Sequence, residues 1–586
     1  MTRFVALLFF AFAPVVTLAA SAADKAFENL AQEYLDDLGN FSPVGATLVG
    51  DHRTDHRLDQ VDAAAREHER ELYQQYRKAL AGIDRNKLSR ANQVDANLLH
   101  NQIESGLWSL DTLQEWAWNP LVYTNTAGSA IYGLVARDFA PLGERLKNVT
   151  ARLEQLPRFL QQARESIQIP RVPKVHAETA VAQNQGLSSI IDLMVVPEME
   201  ALDAADRAAL EAAIETARDA LALHQNWLEE KLVPGAAGDF RVGPALFDRK
   251  LAFALDSPLG RKEVQARAEA EYQAVRNEMY KIAREVYAED HPYTSFPDQP
   301  DEAFKQVIIR AALEKAYQQL PPADGIVEVA REMLQQASDF VVEKNLVEMP
   351  DDPVEIIVMP EFQRGVSVAY LDPPGPLDKG QSAFYAVAPL PEDWTEEQVN
   401  SFLREYNMYS IQDLTLHEGV PGHYLQLALS NRYPSTLRSV FWSGPFVEGW
   451  AVYAERVMID AGYLDNDPLM RLINLKWYLR AVTNAIIDAA IHVDGMTEQQ
   501  AMKLMIEGGF QEEREAAGKW VRAQLTSAQL STYFVGYQEH IEMRKAVEKA
   551  WGKDFTLRKY HDLALSFGSP PVKYVRALIL DEPIPE

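Results

Sequence analysis

The chain has 586 residues, no cysteine and a formal net charge of −28 at pH 7. Without cysteine there can be no disulfide, thiolate metal ligand, cysteine nucleophile or acylated N-terminal cysteine, so any metal must be held by His, Asp and Glu. Such an acidic surface repels phosphate backbones, which argues against nucleic acid as a partner.

The first element in chain order is an apolar run behind a short basic start. Phe4 to Ala19 follows Met1 to Arg3 and is itself followed by the small residues Ala20, Ser21 and Ala22. This order predicts a signal peptide over residues 1–22, cleaved after Ala22, and hence an exported protein, periplasmic or secreted. An uncleaved N-terminal anchor is the alternative. No later apolar run is long enough to cross a bilayer, so we expect no stable membrane insertion after cleavage.

Residues 23–345 have a helical pattern, rich in Ala, Leu, Glu, Gln and Arg, with apolar residues three and four apart. The clearest predicted helices are Ala63 to Leu80, Ala91 to Leu110, Ala204 to Leu232 and Lys262 to Tyr287. Length alone allows about two to four domains. Because no low-complexity linker separates this region from residues 346–586, we expect the two to form one continuous unit.

The composition changes at Pro350. Three short runs rich in Val, Ile, Phe and Tyr, at Val354 to Met359, Val366 to Leu371 and Ser382 to Ala388, predict the strands of one small antiparallel sheet. Helical patterning resumes at Thr395 and continues to the end. The predicted fold is therefore mainly α, a large helical body with a small antiparallel sheet near the middle of the chain.

The segment His417-Glu418-Gly-Val-Pro-Gly-His423 places two imidazoles and a carboxylate close together. Neutral imidazole is the commonest metal ligand, and a neighbouring Glu can take a proton from metal-bound water. Six residues separate the two histidines, and about 240° of rotation would point their rings apart on a regular helix. Pro421 and Gly422 allow a break, so we predict a distorted helix over Gly419 to Gly422.

A third ligand is expected from another segment. Val447 to Glu455 reads as an apolar helix with two carboxylates, Glu448 and Glu455, seven residues apart on one face. Two histidines and one Glu form a known catalytic zinc set, and a buried carboxylate needs a partner such as a metal. For either glutamate, and more so for Glu455, an ordinary ion pair with an arginine is the alternative.

These two segments resemble the family known as domain of unknown function 885, grouped with the gluzincin metallopeptidases. The resemblance rests on His417 to Gln426 and Glu448 to Glu455, and covers nearly the whole mature chain. The further matching segments are Gly50-Asp-His52, Val368-Ala-Tyr370, Arg480-Ala-Val, Asp488-Ala-Ala-Ile-His492, Tyr533-Phe-Val-Gly536 and Tyr560-His561-Asp562. Met496 and Ser527-Ala528 depart from the family pattern, which bears on substrate preference.

The resemblance implies that His417, His423 and Glu448 hold one zinc ion and that Glu418 is the general base. It implies a gluzincin-like active-site helix, in which an edge strand of the sheet pairs with an extended peptide; Ser382 to Ala388 or Val366 to Leu371 would serve. A structural cap is the alternative role for this sheet.

An oxyanion formed during peptide hydrolysis needs a donor besides the metal, and Tyr533 and His492 are the candidates. Asp488 lies four residues before His492, so its carboxylate can orient the imidazole. Arg480 and His561 are further candidates for contact with substrate or for support of the site. For each of these residues the alternative is a hydrogen-bonded place in the core.

Other enzyme classes lack their sequence signatures. None of the 12 histidines has a Glu three residues before it, which excludes the Glu-x-x-His pairs of di-iron helical bundles. No Gly-x-Ser-x-Gly or phosphate-loop motif is present. The predicted function is zinc-dependent hydrolysis of peptide bonds in short peptides. The alternatives are a zinc amidase for small or modified amides and a non-catalytic binding protein on a metalloprotease frame. The sequence specifies neither the substrate terminus nor the oligomeric state.

Overall fold

The computed structural model describes residues 21–322, 325–359, 369–390 and 394–586. Residues 1–20 of the predicted signal peptide lie outside these ranges, as do residues 366–368 of the second predicted strand. Among the helices that are described, none combines the length and apolar character of a membrane span.

The N-terminal part is a succession of helices, as its periodicity predicts. They are α1 (Ala22–Phe41), α2 (Pro43–Leu48), α3 (Ala63–Ala81), α4 (Arg90–Trp108), α5 (Glu115–Trp118), α6 (Leu121–Val135), α7 (Leu142–Ser166), α8 (Lys174–Ile190), α9 (Ala204–Trp227), α10 (Val233–Gly235), α11 (Gly243–Leu255), α12 (Arg261–Asp290), α13 (Glu302–Tyr317) and α14 (Ile326–Lys344). Side chains start several of them: Asp62 caps α3 and Asp203 caps α9 by accepting backbone N–H groups of the first turn. The four predicted helices are confirmed as α3, α4, α9 and α12.

The sheet follows, with strands β1 (Val354–Val358), β2 (Ala369–Asp372) and β3 (Ala383–Val387) in the order β1-β3-β2. β3 pairs with β1 in parallel and with β2 in antiparallel orientation. The prediction of a purely antiparallel sheet is therefore wrong for one pair. The reason is that β1 and β2 run in opposite directions and β3 lies between them, so β3 is parallel to β1 and antiparallel to β2.

The C-terminal part is again helical. Its helices are α15 (Glu396–Glu405), α16 (Met408–Glu418), α17 (His423–Ser430), α18 (Thr436–Val440), α19 (Gly444–Asp460), α20 (Pro468–His492), α21 (Glu498–Lys503), α22 (Glu513–Leu525), α23 (Ser531–Trp551), α24 (Leu557–Leu565) and α25 (Val572–Leu580). The predicted interruption at Gly419 to Gly422 is confirmed, since α16 ends at Glu418 and α17 begins at His423.

The largest apolar core is shared by both parts of the chain. Phe247, Met279 and Ile309 on α11, α12 and α13 bury their side chains in one cluster with Leu416 and Trp450 on α16 and α19. α12 packs along α20, and α19 packs along α23. Residues before and after position 345 therefore share one apolar core, and this core supports α16 and α19, whose charged side chains are described next.

Candidate metal centre

The break between α16 and α17 brings His417 and His423 together. A Cβ atom on residue 422 would lie 1.9 Å from the carbonyl oxygen of His417, so only glycine fits at Gly422. The indole N–H of Trp450 donates to the carbonyl of Pro421 at 2.9 Å and holds the break against α19. As a result the two imidazole rings lie 4.7 Å apart between centroids, at an interplanar angle of 85°.

Glu448 on α19 completes a cluster of three side chains. Its Oε2 atom lies 3.4 Å from Nε2 of His423 and 3.9 Å from Nε2 of His417. One ligand atom from each residue falls within 4.8 Å of the other two, so the three side chains could hold a metal ion. The three sequence-predicted ligands are thus brought together by α16, α17 and α19.

The donor set fits zinc. Ligand atoms at the usual zinc distances in a tetrahedral site are about 3.4 Å apart, close to the separations between Glu448 and the two imidazoles. Two imidazole nitrogens and one carboxylate leave a fourth position for water or substrate, as in catalytic zinc sites. Nitrogen ligands also favour zinc over calcium or magnesium.

Glu455 supports His417 instead of competing with Glu448. Its Oε1 atom accepts a hydrogen bond from Nδ1 of His417 at 2.6 Å, which leaves Nε2 of that ring facing Glu448. Asn474 donates to both Glu455, at 3.4 Å, and Asp413, at 3.1 Å. The seven-residue spacing correctly predicted that Glu448 and Glu455 lie on the same face of α19. In the structure Glu448 faces both imidazoles, whereas Glu455 bonds to Nδ1 of His417. An arginine partner for Glu455 was the alternative, and the structure pairs it with His417.

Burial and mutual charges shift the titration of these groups. Burial, and then the charge of His423, lower the pKa of His417 to about 4, so its imidazole is neutral and able to bind a metal. Burial acts to raise the pKa of Glu448, but the hydrogen bond and charge of His423 outweigh it and hold that pKa below its usual value. Burial raises the pKa of Glu418, and it raises that of Glu455 well above the ordinary range.

Glu418 points into the same space and is held by the sheet. Its Oε2 atom accepts a hydrogen bond from the backbone N–H of Leu371 at 2.9 Å. Leu371 belongs to β2, which lies at the edge of the described sheet, whereas β3 is paired on both sides. Of the two strands expected to serve as the edge strand, Ser382 to Ala388 is therefore excluded, and the described end of Val366 to Leu371 lies beside Glu418.

A cavity of about 830 Å³ opens over the metal cluster. Its lining comes from β2 and from α15, α16, α17, α19, α20, α22 and α23, and includes His417, Glu418, His423 and Glu448. Tyr533 also lines it, and its hydroxyl accepts hydrogen bonds from Arg522 at 3.0 Å and Gln529 at 3.4 Å. The volume is in the range of sites for small ligands.

Other predicted site residues have structural partners. Nε2 of His492 faces the carbonyls of Ala523 and Thr526, at 2.8 and 2.7 Å, at the end of α22. Asp488 does not bond to that imidazole; it accepts from Ser531 and from the N–H of Ala528 before α23. Neither belongs to the set of described residues that line the cavity. The prediction that His492 contacts substrate and is oriented by Asp488 is therefore wrong in this structure.

Of the two remaining predicted site residues, His561 is buried away from the cavity and Arg480 lines it. Nδ1 of His561 donates to the carbonyl of Leu346 at 2.7 Å, and its Nε2 accepts from Tyr453 at 2.8 Å, so this imidazole is a buried structural group. Burial lowers its pKa to about 3. Arg480 does line the cavity, where it forms an ion pair with Glu515.

Comparison with known proteins places the chain in a family. Residues 43–579 match the family described as "Bacterial protein of unknown function (DUF885)". The chain belongs to the DUF885 family. No curated protein matches it.

Two solved structures resemble it over nearly their whole length. A presumed lipoprotein of unknown function from Shewanella oneidensis is 34% identical, with a TM-score of 0.79, covering 96% of this chain and 100% of that one. A presumed lipoprotein from Colwellia psychrerythraea is 16% identical, with a TM-score of 0.75 over 95% of this chain and 99% of that one, and shares the fold.

Several cavity residues of this DUF885 protein escaped the sequence reasoning. Lys519 and Arg522 lie on α22, and Trp477 and Asn484 on α20, and all four line the cavity. The spacing of Lys519 and Arg522 is that of any solvated helix face, and no local pattern distinguishes them. Leu371 contributes through its backbone, which no side-chain motif can reveal.

Proposed function

We propose that this protein is an exported, zinc-dependent peptidase that hydrolyses peptide bonds in short peptides. The observation that carries the proposal is the joint position of three ligand side chains and the buried carboxylate of Glu418 in one cavity. Zinc, when bound there, would polarise the scissile carbonyl and activate water for attack.

The protein's own groups supply the remaining chemistry. Glu418, oriented by the N–H of Leu371, would take a proton from the attacking water and give it to the departing amine. The hydroxyl of Tyr533 accepts from Arg522 and Gln529, so its own hydrogen can point to a carbonyl oxygen in the cavity. Because the imidazole of His492 faces the carbonyls at the end of α22, Tyr533 is the remaining side-chain candidate from the sequence for stabilising an oxyanion.

The cavity favours short substrates. Its volume of about 830 Å³ suits a few residues, and Ala369, Tyr370 and Leu371 of the edge strand β2 line it. An extended backbone alongside β2 would reach Glu418 within the same cavity. Export agrees with the apolar N-terminal run and with the description of both similar structures as presumed lipoproteins.

The decisive experiment compares wild type with Glu418→Gln. Bound metal is measured, and short unmodified peptides and small amides are screened by mass spectrometry. We expect near-stoichiometric zinc in both proteins and a roughly 10²- to 10⁴-fold loss of cleavage in the variant. Glu328→Gln makes the same change at an exposed residue paired with Arg331 and should cleave like wild type.

Other outcomes would change the assignment. Cleavage of small amides but of no peptide would identify an amidase. Zinc without any cleavage would identify a binding protein on a metalloprotease frame. A protein that takes up no zinc after reconstitution would contradict the assignment of His417, His423 and Glu448.

A further inference from the structure

Helix α22 contributes most of the positively charged side chains that line the cavity. From α22, Arg514, Glu515, Gly518, Lys519 and Arg522 all face the cavity, at spacings of three and four residues. They therefore form one face of the helix. Gly518 adds no side chain to this wall, and a Cβ atom there would meet nothing within 4 Å, so the space in front of α22 is open.

Most charges along this wall have partners. Arg480 on α20 pairs with Glu515. The guanidinium of Arg514 lies 4.0 Å above the ring of Trp394. Arg522 donates to Gln529 at 3.1 Å and to Tyr533 at 3.0 Å, which are both neutral groups, so its charge is not compensated by a direct ion pair within the described residues.

Lys519 has no such partner. Only 5% of the residue is exposed, yet in the described part of the chain its ammonium group makes no hydrogen bond and no ion pair. Burial, and then the charges of Arg480 and Arg522, hold the pKa of Lys519 well below its ordinary value. A buried ammonium without a direct ion-pair partner is costly, and a ligand that carries a negative group can supply that partner.

Several carboxylates that line the cavity already have partners. Glu405 pairs with Lys476 at 2.9 Å, and Glu515 pairs with Arg480. Glu448 belongs to the three-residue cluster, and Glu418 accepts a hydrogen bond from the backbone N–H of Leu371. Glu512, just before α22, also lines the cavity. It lines an adjoining open groove together with Arg404. None of these carboxylates forms an ion pair with Lys519 or Arg522 in the described part of the chain, and an anionic group of the substrate would supply one.

We propose that Lys519, with Arg522 one helical turn further on, binds the free C-terminal carboxylate of the substrate. Combined with the proposed peptidase activity, on which this step depends, it assigns cleavage close to the C-terminus. The aromatic side chains of Phe402, Tyr406 and Trp477 in the same cavity would receive an apolar residue of the substrate.

Binding is the first test, because it does not require turnover. Calorimetry with the full-length mature chain, with and without zinc, compares N-acetyl-phenylalanine with N-acetyl-phenylalanine amide. We expect wild type to bind the acid roughly tenfold to 100-fold more tightly, as one charge-assisted contact allows. Lys519→Met should abolish this preference and Lys519→Arg should keep much of it. Lys503→Met, the same change on an exposed helix outside the cavity, should bind like wild type.

Two further experiments test which carboxylate is recognised and whether this recognition affects cleavage. N-acetyl-glutamate α-amide carries only a side-chain carboxylate, and binding as tight as that of the acid would overturn the assignment to the C-terminus. In cleavage assays, peptides with a C-terminal amide should be poorer substrates than the free acids for wild type and equal to them for Lys519→Met. Equal binding of acid and amide by wild type would overturn the proposal. A carboxylate preference without any peptide cleavage would leave this site standing and contradict the peptidase assignment instead.

Protein stability separates this role from a structural one. Since Lys519 has no partner among the described residues, replacing it by methionine removes an uncompensated charge from a buried position. We expect the melting temperature of Lys519→Met to equal or exceed that of wild type. A clear decrease would indicate that Lys519 stabilises the fold and would contradict its assignment to a ligand.

Discussion

The imidazole of His417 has a different partner at each ring nitrogen, and the partner at Nδ1 can be changed without touching a metal ligand. Glu455 lies 2.6 Å from Nδ1 and is itself held by Asn474. A carboxylate in this position fixes the ring and strengthens the opposite nitrogen as a ligand. We therefore expect Glu455→Gln to lower zinc affinity about 10- to 100-fold, measured by competition with a chelator.

Glu328→Gln again provides the matched control, since it makes the same change at an exposed residue and should leave zinc affinity unchanged. Circular dichroism of both variants checks that the helices are retained. If Glu455→Gln bound zinc as tightly as wild type, the hydrogen bond to His417 would not contribute to the metal site.

The close approach of His417, His423 and Glu448 was predictable from the sequence because these residues lie in two short segments of unusual composition. His417, Glu418 and His423 are within seven residues, and Glu448 is on the next long helix. His492 was misassigned because an imidazole on an apolar helix looks the same whether it faces a cavity or, as here, the carbonyls at a helix end.

Among the elements, α19 and α23 cross at two glycines beside the site. A Cβ atom at Gly449 would lie 2.2 Å from the backbone of Gly536, and one at Gly536 would lie 1.9 Å from the carbonyl of Pro445. Gly536→Ala must push the helices apart, and overpacking of this kind costs about 1–3 kcal/mol. Because Glu448 adjoins Gly449, we expect a lower denaturation midpoint together with weaker zinc binding.

Gly518→Ala is the control for this prediction. It is also a glycine within a helix, but a Cβ atom there meets nothing within 4 Å, so we expect a gain of about 0.5–1 kcal/mol. A Gly536→Ala protein as stable as wild type, with unchanged zinc affinity, would show that the crossing can widen without moving Glu448.

Long amphipathic helices were predictable because their periodicity repeats over many turns, as in α3, α4, α9 and α12. The sequence located the three strands to within a few residues. It did not predict their order in the sheet, because strands of four or five residues do not specify their partners. The close crossing of α19 and α23 could not be predicted either. In the sequence, a helical glycine at a close contact looks the same as one that faces open space.

At the scale of the whole molecule, the N-terminal helices hold the strand that orients the proposed base. Asp372, at the end of β2, accepts from Tyr132 at 2.8 Å, and its backbone carbonyl accepts from Arg137 at 2.7 Å. Six residues on, Asp378 contacts His52 at 2.9 Å. These pairs are more than 230 residues apart in sequence, so no local pattern could predict them. They link the first part of the chain to the Glu418 side of the cavity.

His52 makes this link sensitive to pH. Its ring is stacked on Phe139 at 3.6 Å and lies between Asp55, at 3.0 Å, and Asp378. Burial acts to lower the pKa of His52, but the hydrogen bonds to Asp378 and Asp55 outweigh it and raise it to about 9. Because this folded-state pKa lies above that of an unfolded histidine, about 6.5, the stabilisation is complete below pH 6.5 and is lost as the pH rises through 9.

We therefore expect His52→Gln to be less stable than wild type at pH 6, and most of this difference to disappear by pH 10. Melting temperatures of both proteins across that range measure it, with the exposed His68→Gln as the control that should show no such convergence. Since part of the His52 side chain is exposed, salt should also reduce the difference at low pH. A difference that stayed constant or widened between pH 6 and 10 would mean that the charged imidazole does not join the two parts of the chain.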